Sequence, residues 1–174
     1  MIKSITDTLA DYQLSFIFRK QKKKLEKFNG FFTASKSIFI LFPSDNNLLP
    51  ILNELIDYLI LKQKKVTIFS TVQDFNKISS MNNCSLFEYT NDEITRIGLP
   101  KSYLIKRLQR ENFDILINLE LSTNVFYSAV TKLSQSKYKL GYGGLKNDKY
   151  FNIQISNFKS ENGISGVMKI LNLF

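Results

Sequence analysis

Asp45 and Glu120 are the two carboxylates that the sequence offers as general bases. Each follows an apolar run, Ser37–Phe42 and Phe113–Leu119, that reads as a buried strand. In open α/β sheets ligands bind beyond the carboxyl ends of the strands, so a carboxylate there can take a proton from a substrate hydroxyl. The other usual reactive groups are scarce. Histidine is absent, which removes the commonest base and zinc ligand and excludes Ser-His-Asp and Cys-His mechanisms. Cys84 is the sole cysteine. It can form no intramolecular disulfide or cysteine-based zinc site, and with no basic neighbour in sequence it reads as a neutral thiol. Neither a metal centre nor a cofactor is expected.

The expected cleft rim holds Ser44, Asp45 and Asn46, then Ser70-Thr71, then Glu120 and Ser122, then Gly141 and Gly143. Pro43-Ser-Asp-Asn-Asn47 has no glycine to bring backbone close to a pyrophosphate, so it is not a phosphate loop. Its polar residues read better as caps of the next helix. Gly141-Tyr-Gly-Gly144 is rich in glycine but opens no helix, and reads as a plain turn. Asp114 starts a strand and so falls on the opposite rim. Glu120 has no partner visible in sequence.

The elements that would carry these residues alternate. Strands are expected at Lys36–Phe42, Val66–Phe69, Ser85–Tyr89, Phe113–Leu119 and Lys137–Leu140, with an edge strand at Phe151–Ile155. Helices are expected at 48–60, 72–81, 100–110, 123–134 and 163–173. This predicts an α/β fold: a single three-layer Rossmann-like domain over residues 36–174 with a mostly parallel sheet.

Residues 1–30 differ from the rest. Ile2, Ile5, Leu9, Tyr12 and Phe16 step by three and four, as one face of a helix does. Leu14, Phe18, Leu25 and Phe28 form a second stripe. Together they predict a basic amphipathic helix over about 4–27, ended by Asn29-Gly30. Arg19, Lys20, Lys22, Lys23, Lys24 and Lys27 cluster on it. Residues 1–36 hold eight Lys/Arg and three Asp/Glu, against sixteen and twelve in the remainder, so more than half of the +9 net charge lies in the first fifth of the chain. Three uses stay open: a solvated helix face, contact with RNA phosphates, or an anionic lipid surface. The same apolar spacing serves a helix–helix contact with a second copy or a partner chain. No run is long and apolar enough to span a membrane, and the N-terminus lacks the order of a signal peptide. The expected location is the cytoplasm, with the inner-membrane periphery as the alternative.

Ser37-Ile-Phe-Ile-Leu-Phe42 with the helix after it, Phe113-Asp-Ile-Leu-Ile-Asn-Leu119 and Lys137-Tyr-Lys-Leu-Gly-Tyr142 resemble the N-terminal half-domain of heptosyltransferase-like glycosyltransferases. The likeness covers residues 37–156. The chain is also similar to a small uncharacterised family of Bacteroidetes-type bacteria. The glycosyltransferase resemblance implies an acceptor-side fold. Such enzymes bind the nucleotide-sugar mainly with a second domain, for which no segment is expected within these 174 residues, and place a Gly-Asp pair where Ser44-Asp45 stands. The expectation is therefore a non-catalytic module that attaches through its basic helix to RNA or ribonucleoprotein before membrane. The alternative is half of a glycosyltransferase, with Asp45 or Glu120 as base and a separate donor-binding chain.

Overall fold

The computed structural model describes residues 30–122, 124–143, 150–155, 167 and 171. Six strands make one sheet: β1 (Ser37–Leu41), β2 (Lys65–Ser70), β3 (Ser85–Glu88), β4 (Ile115–Asn118), β5 (Tyr138–Tyr142) and β6 (Ile153–Ile155). Their order is β3-β2-β1-β4-β5-β6, and every neighbouring pair is parallel. The doubly wound α/β architecture expected from the alternation is the one observed.

Parallel neighbours need a crossover. It is supplied by α2 (Leu49–Leu61) between β1 and β2, α3 (Val72–Phe75) between β2 and β3, α4 (Ser102–Arg110) between β3 and β4, and α5 (Val125–Leu133) between β4 and β5. A short α1 (Phe31–Ala34) precedes β1. Strand residues alternate between two cores. Ile38, Ile40, Ile115 and Ile117 pack with Leu52, Leu55, Ile56 and Leu59 of α2. Phe39, Leu41 and Leu116 pack with Leu104 and Leu108 of α4 and Phe126 and Val130 of α5. Both faces of β1 and β4 are thus covered, which is why those runs are apolar without interruption. Burying a side chain such as Leu52 or Phe39 stabilises the fold by roughly 1.5–3 kcal/mol.

Helix α2 ends in a left-handed residue, Gln63, with φ of 57°. Gln63 N–H donates to Ile60 O at 2.8 Å and Lys64 N–H to Leu59 O at 2.9 Å. This is the Schellman pattern, normally served by glycine. Just beyond it the Lys64 ammonium donates to Phe32 O at 2.8 Å and Ser35 O at 2.7 Å, closing the end of α1.

Several expected elements differ. The helix expected over 72–81 stops at Phe75. Ser79 N–H donates to the Asn53 side chain and Ser80 Oγ to Asp57, and such side-chain bonds compete with the helical ladder. The turn expected at Gly141 is strand, because Gly141 pairs with Asn118 on one side and Gln154 on the other. Pro100 does not open α4; it forms an antiparallel bridge with Ile94. Asn124 caps α5, its Oδ1 accepting from Tyr127 N–H at 3.2 Å. Val167 and Leu171 are helical, buried and part of the α2-side core. The expected N-terminal helix, with Arg19, Lys20, Lys22, Lys23, Lys24 and Lys27, lies outside the described residues.

Candidate functional site

The strand order reverses between β1 and β4, so their carboxyl ends flank the crevice where a ligand of such a sheet would sit. The chain leaving β1 reaches Ser44, and the chain leaving β4 reaches Glu120. The two meet there. Ser44 N–H donates to one Glu120 carboxylate oxygen at 3.0 Å, and Ser44 Oγ–H donates to the other at 2.8 Å. Ser122 Oγ–H donates to that second oxygen at 2.7 Å. Glu120 is 5% exposed. Its own N–H donates to Asn118 Oδ1 at 2.9 Å, and Asn118 Nδ2 donates to Thr131 Oγ1 of α5 at 3.1 Å. The result is a polar chain running from exposed Ser44 in the β1 loop through buried Glu120 and Asn118 to Thr131 of α5.

This arrangement satisfies the carboxylate of Glu120 from within the protein. A general base must reach the proton it abstracts, and both Glu120 oxygens already accept hydrogen bonds. The partner that the sequence did not reveal is Ser44, 76 positions away. Ser44 and Ser122 therefore join Glu120, while Asp45 does something else. It is exposed, and its Oδ1 accepts from Asn47 N–H at 2.9 Å, capping the 3-10 turn Asn46–Leu48. Asn46 Oδ1 accepts from Lys77 Nζ at 3.4 Å.

Aromatic rings fill the α4–α5 side of the same rim. Tyr89 stacks on Phe69 at 4.5 Å between centroids and tilts against Phe126 at 5.0 Å. The Tyr89 and Tyr127 hydroxyls are 3.4 Å apart and buried. Burial first, then the neighbouring Tyr89 and the charge of Glu120, push the Tyr127 hydroxyl far above its usual pKa. It stays protonated, and either of the two hydroxyls can donate to the other. Sequence reasoning missed both tyrosines, because the contact joins the residue just after β3 to one in the first turn of α5, 38 positions away.

The described loops on this rim are acidic. They and the strand and helix ends beside them hold Asp45, Asp74, Glu88, Asp92, Glu93 and Glu120 against Lys77, Arg96, Lys101 and, from α4, Arg107. Lys77 pairs with Asp74 at 2.7 Å. Arg107 of α4 reaches a shallow surface depression lined by Glu88, Thr90, Glu93 and Tyr103. There it donates to Glu93 at 3.1 Å and to Glu88 O at 2.6 Å, so its charge is already engaged.

The remaining sequence candidates have structural positions. The Phe151 ring lies over Gly141, and Gly143 N–H donates to Ile155 O at 3.0 Å. Cys84 is half-buried, and burial, followed by the charge of Asp57, pushes its thiol up to about 11. Asp114 lies on the amino-terminal rim as expected. Burial pushes its carboxyl up, but hydrogen bonds from Lys36 N–H, Ser37 N–H and Ser37 Oγ–H, with the charge of Lys137, outweigh this and hold it below the usual range. No cluster of three or more Cys, Asp or Glu able to hold a metal occurs among the described residues. No helix among them is long and apolar enough to cross a membrane.

No curated protein matches the chain. A family model does match, over residues 12–174, which takes in the whole sheet and part of the basic segment ahead of it. By that match the chain belongs to a family of unknown function, DUF6913.

Proposed function

We propose that this chain is a non-catalytic binding module that attaches to RNA or ribonucleoprotein through the basic cluster Arg19–Lys27. The observation that carries the non-catalytic half of this reading is the Ser44–Glu120 contact across the switch point. It ties together the two loops between which a sugar or nucleotide would enter, and it occupies the buried candidate base. The acidic loops around it repel phosphate groups. The polyanion half rests on the sequence. Lysine-rich segments neutralise phosphates without reading bases, and six of the eleven residues from Phe18 to Phe28 are basic.

The test is salt-dependent retention on RNA. Binding through phosphates weakens linearly on a log–log plot as salt rises. Neutralising Lys22, Lys23 and Lys24 then lowers the slope by about 2, at roughly 0.7 per contact on a single strand. Flotation with anionic vesicles and no retention on RNA would move the partner to a lipid surface.

The second reading is the acceptor-side half of a glycosyltransferase. It is favoured by the β3-β2-β1-β4-β5-β6 sheet with Asp45 exposed beside its switch point. An Asp45→Asn variant of unchanged stability would abolish sugar transfer in the presence of a donor-binding partner chain. Transfer that survives this change removes Asp45 as the base.

A further inference from the structure

Helix α4 is amphipathic, and its apolar side is already buried. Leu104 and Leu108 lie in the core, and Ile105 packs beside Leu99 and Leu133. The opposite side faces water. There Tyr103, Lys106 and Arg110 step by three and four, so they form one stripe along the helix, about 10 Å long at 1.5 Å per residue. Tyr103 is 68% exposed, the one exposed aromatic ring among the described residues.

The ring is held ready. Arg107 lies over it, with the guanidinium carbon 5.6 Å from the centroid. Arg107 is itself fixed by Glu93 at 3.1 Å and by Glu88 O at 2.6 Å. Tyr103 also borders a surface depression of about 520 Å³ with an apolar lining of Ile97, Leu99 and Pro100, where Lys101 lies as well.

Three cations stand along this stretch without an internal partner. The ammonium groups of Lys101 and Lys106 and the guanidinium of Arg110 meet no carboxylate or ring among the described residues, and all three side chains are exposed. Arg110 has a local use at the end of the helix, where a cation offsets the dipole. Lys101 has none. It sits at the N-cap, where the dipole is already positive, and no acidic residue occupies the first turn. Glu111, the C-cap, is the sole carboxylate in residues 101–111.

Resting on the binding-module reading, we propose that the solvent side of α4 is a docking surface for single-stranded RNA: a base stacks on Tyr103 over the apolar depression, Lys101 lies beside it, and the adjoining phosphates follow Lys106 and Arg110. None of this surface belongs to the Arg19–Lys27 cluster, so it is a second contact. Stacking on an aromatic side chain takes an unpaired base, and cations around the ring track the backbone without reading sequence. The direction of the strand follows from charge. Glu88 and Glu93 border Tyr103 on the carboxyl rim, so the phosphates lead away from them, down the helix. Lipid suits this surface poorly, because an interfacial helix inserts its apolar side and α4 has buried it. An acidic peptide meets the cations but leaves the ring face empty.

The full chain is titrated with fluorescent oligouridine, and with an abasic strand of the same length, across a salt series. Lys106→Gln/Arg110→Gln is expected to lower the salt slope on both strands by about 1.4, at roughly 0.7 per contact. Tyr103→Ala is expected to weaken oligouridine binding about 5- to 100-fold, the loss of one stacked base, with the slope unchanged and the abasic strand bound as by wild type. Tyr103→Phe is expected to bind oligouridine as wild type does. Thermal melts check that each variant folds, and the single Lys106→Gln change, expected to lower the slope by about 0.7, serves if the double does not. A Tyr103→Ala chain that binds oligouridine as tightly as wild type overturns the stacked base. Wild-type binding by both the ring variant and the double variant, beside a weakened Lys22→Gln/Lys23→Gln/Lys24→Gln chain, overturns the α4 surface while the binding-module reading stands. A wild-type chain that shows no salt-dependent binding to either strand, or that binds only vesicles containing phosphatidylserine, overturns both.

Discussion

Ser44 and Glu120 meet across the gap between β1 and β4 through two hydrogen bonds, 3.0 and 2.8 Å long. Glu120 is buried while Ser44 and Ser122 are exposed, so removing its carboxylate takes away three hydrogen bonds to a charged group and leaves the serine donors open to water. A bond to a charged group contributes about 1.5–3 kcal/mol. Glu120→Ala is therefore expected to cost about 2–4 kcal/mol, a Tm drop on the order of 10 °C for a chain of this size. Ser44→Ala, which keeps the backbone donor, is expected to cost about 1 kcal/mol. Denaturant melts decide it, and a Glu120→Ala protein as stable as wild type would show that the contact does not hold the crevice shut.

Gly141 predicts a second effect. A Cβ built there would come within 2.3 Å of Phe151 Cζ and 2.4 Å of Cε1. Phe151 is buried, so its ring must swing out of the core to make room. Overpacking of this kind costs about 1–3 kcal/mol. Gly141→Ala is expected to fall in that range, and Gly141→Ala in a Phe151→Leu background to cost at least 1 kcal/mol less, as coupled neighbours should. Additive losses in the double-mutant cycle would contradict the contact.

Gln63 offers a stabilising change. A left-handed backbone costs an L-residue roughly 1–2 kcal/mol, and glycine avoids it at some expense in unfolded-state entropy. Gln63→Gly is expected to raise stability by about 0.5–1 kcal/mol, seen as a Tm increase of a few degrees. A lower Tm would mean that the Gln63 side chain contributes something beyond the helix end.

Lys139 makes stability depend on pH. Its Nζ donates to Lys132 O at 3.1 Å, and burial, then the charge of Lys132, pushes its pKa down to about 8 from the ordinary 10.5. The unfolded chain thus holds the proton more tightly than the folded one between these values. The Lys139 contribution to stability grows as pH climbs from about 8 toward 10.5 and is lost as pH falls through 8. Relative to Lys139→Met, in which the tyrosine and Cys84 titrations cancel, the wild type is expected to gain stability between about pH 7 and about pH 10. A constant difference in paired chemical melts would show an ordinary lysine.

Much of the architecture follows from local pattern. Ser37-Ile-Phe-Ile-Leu41 and Ile115-Leu-Ile-Asn118 are apolar on both faces, which only a central strand of a covered sheet satisfies, and Leu52, Leu55, Ile56 and Leu59 repeat at the helical period. These signals lie within a dozen residues of chain, so composition and spacing reveal them. The short α3 did not follow from its sequence, since its end depends on Asn53 and Asp57 reaching across from α2.

The site was legible only in part. The types at Ser44, Asp45, Glu120 and Ser122 mark a polar rim, but nothing local says that Ser44 and Ser122 engage Glu120 while Asp45 caps a turn. Nor does the chain order of Tyr89 and Tyr127 say that their hydroxyls meet. Sequence by itself determined which segments become strand or helix, because periodicity is a property of neighbours. Tertiary structure decided which distant loops and charges meet, because parallel pairing carries each strand's end to a place fixed by register across the sheet, where a hydrogen bond or a repulsion then acts over a few ångströms.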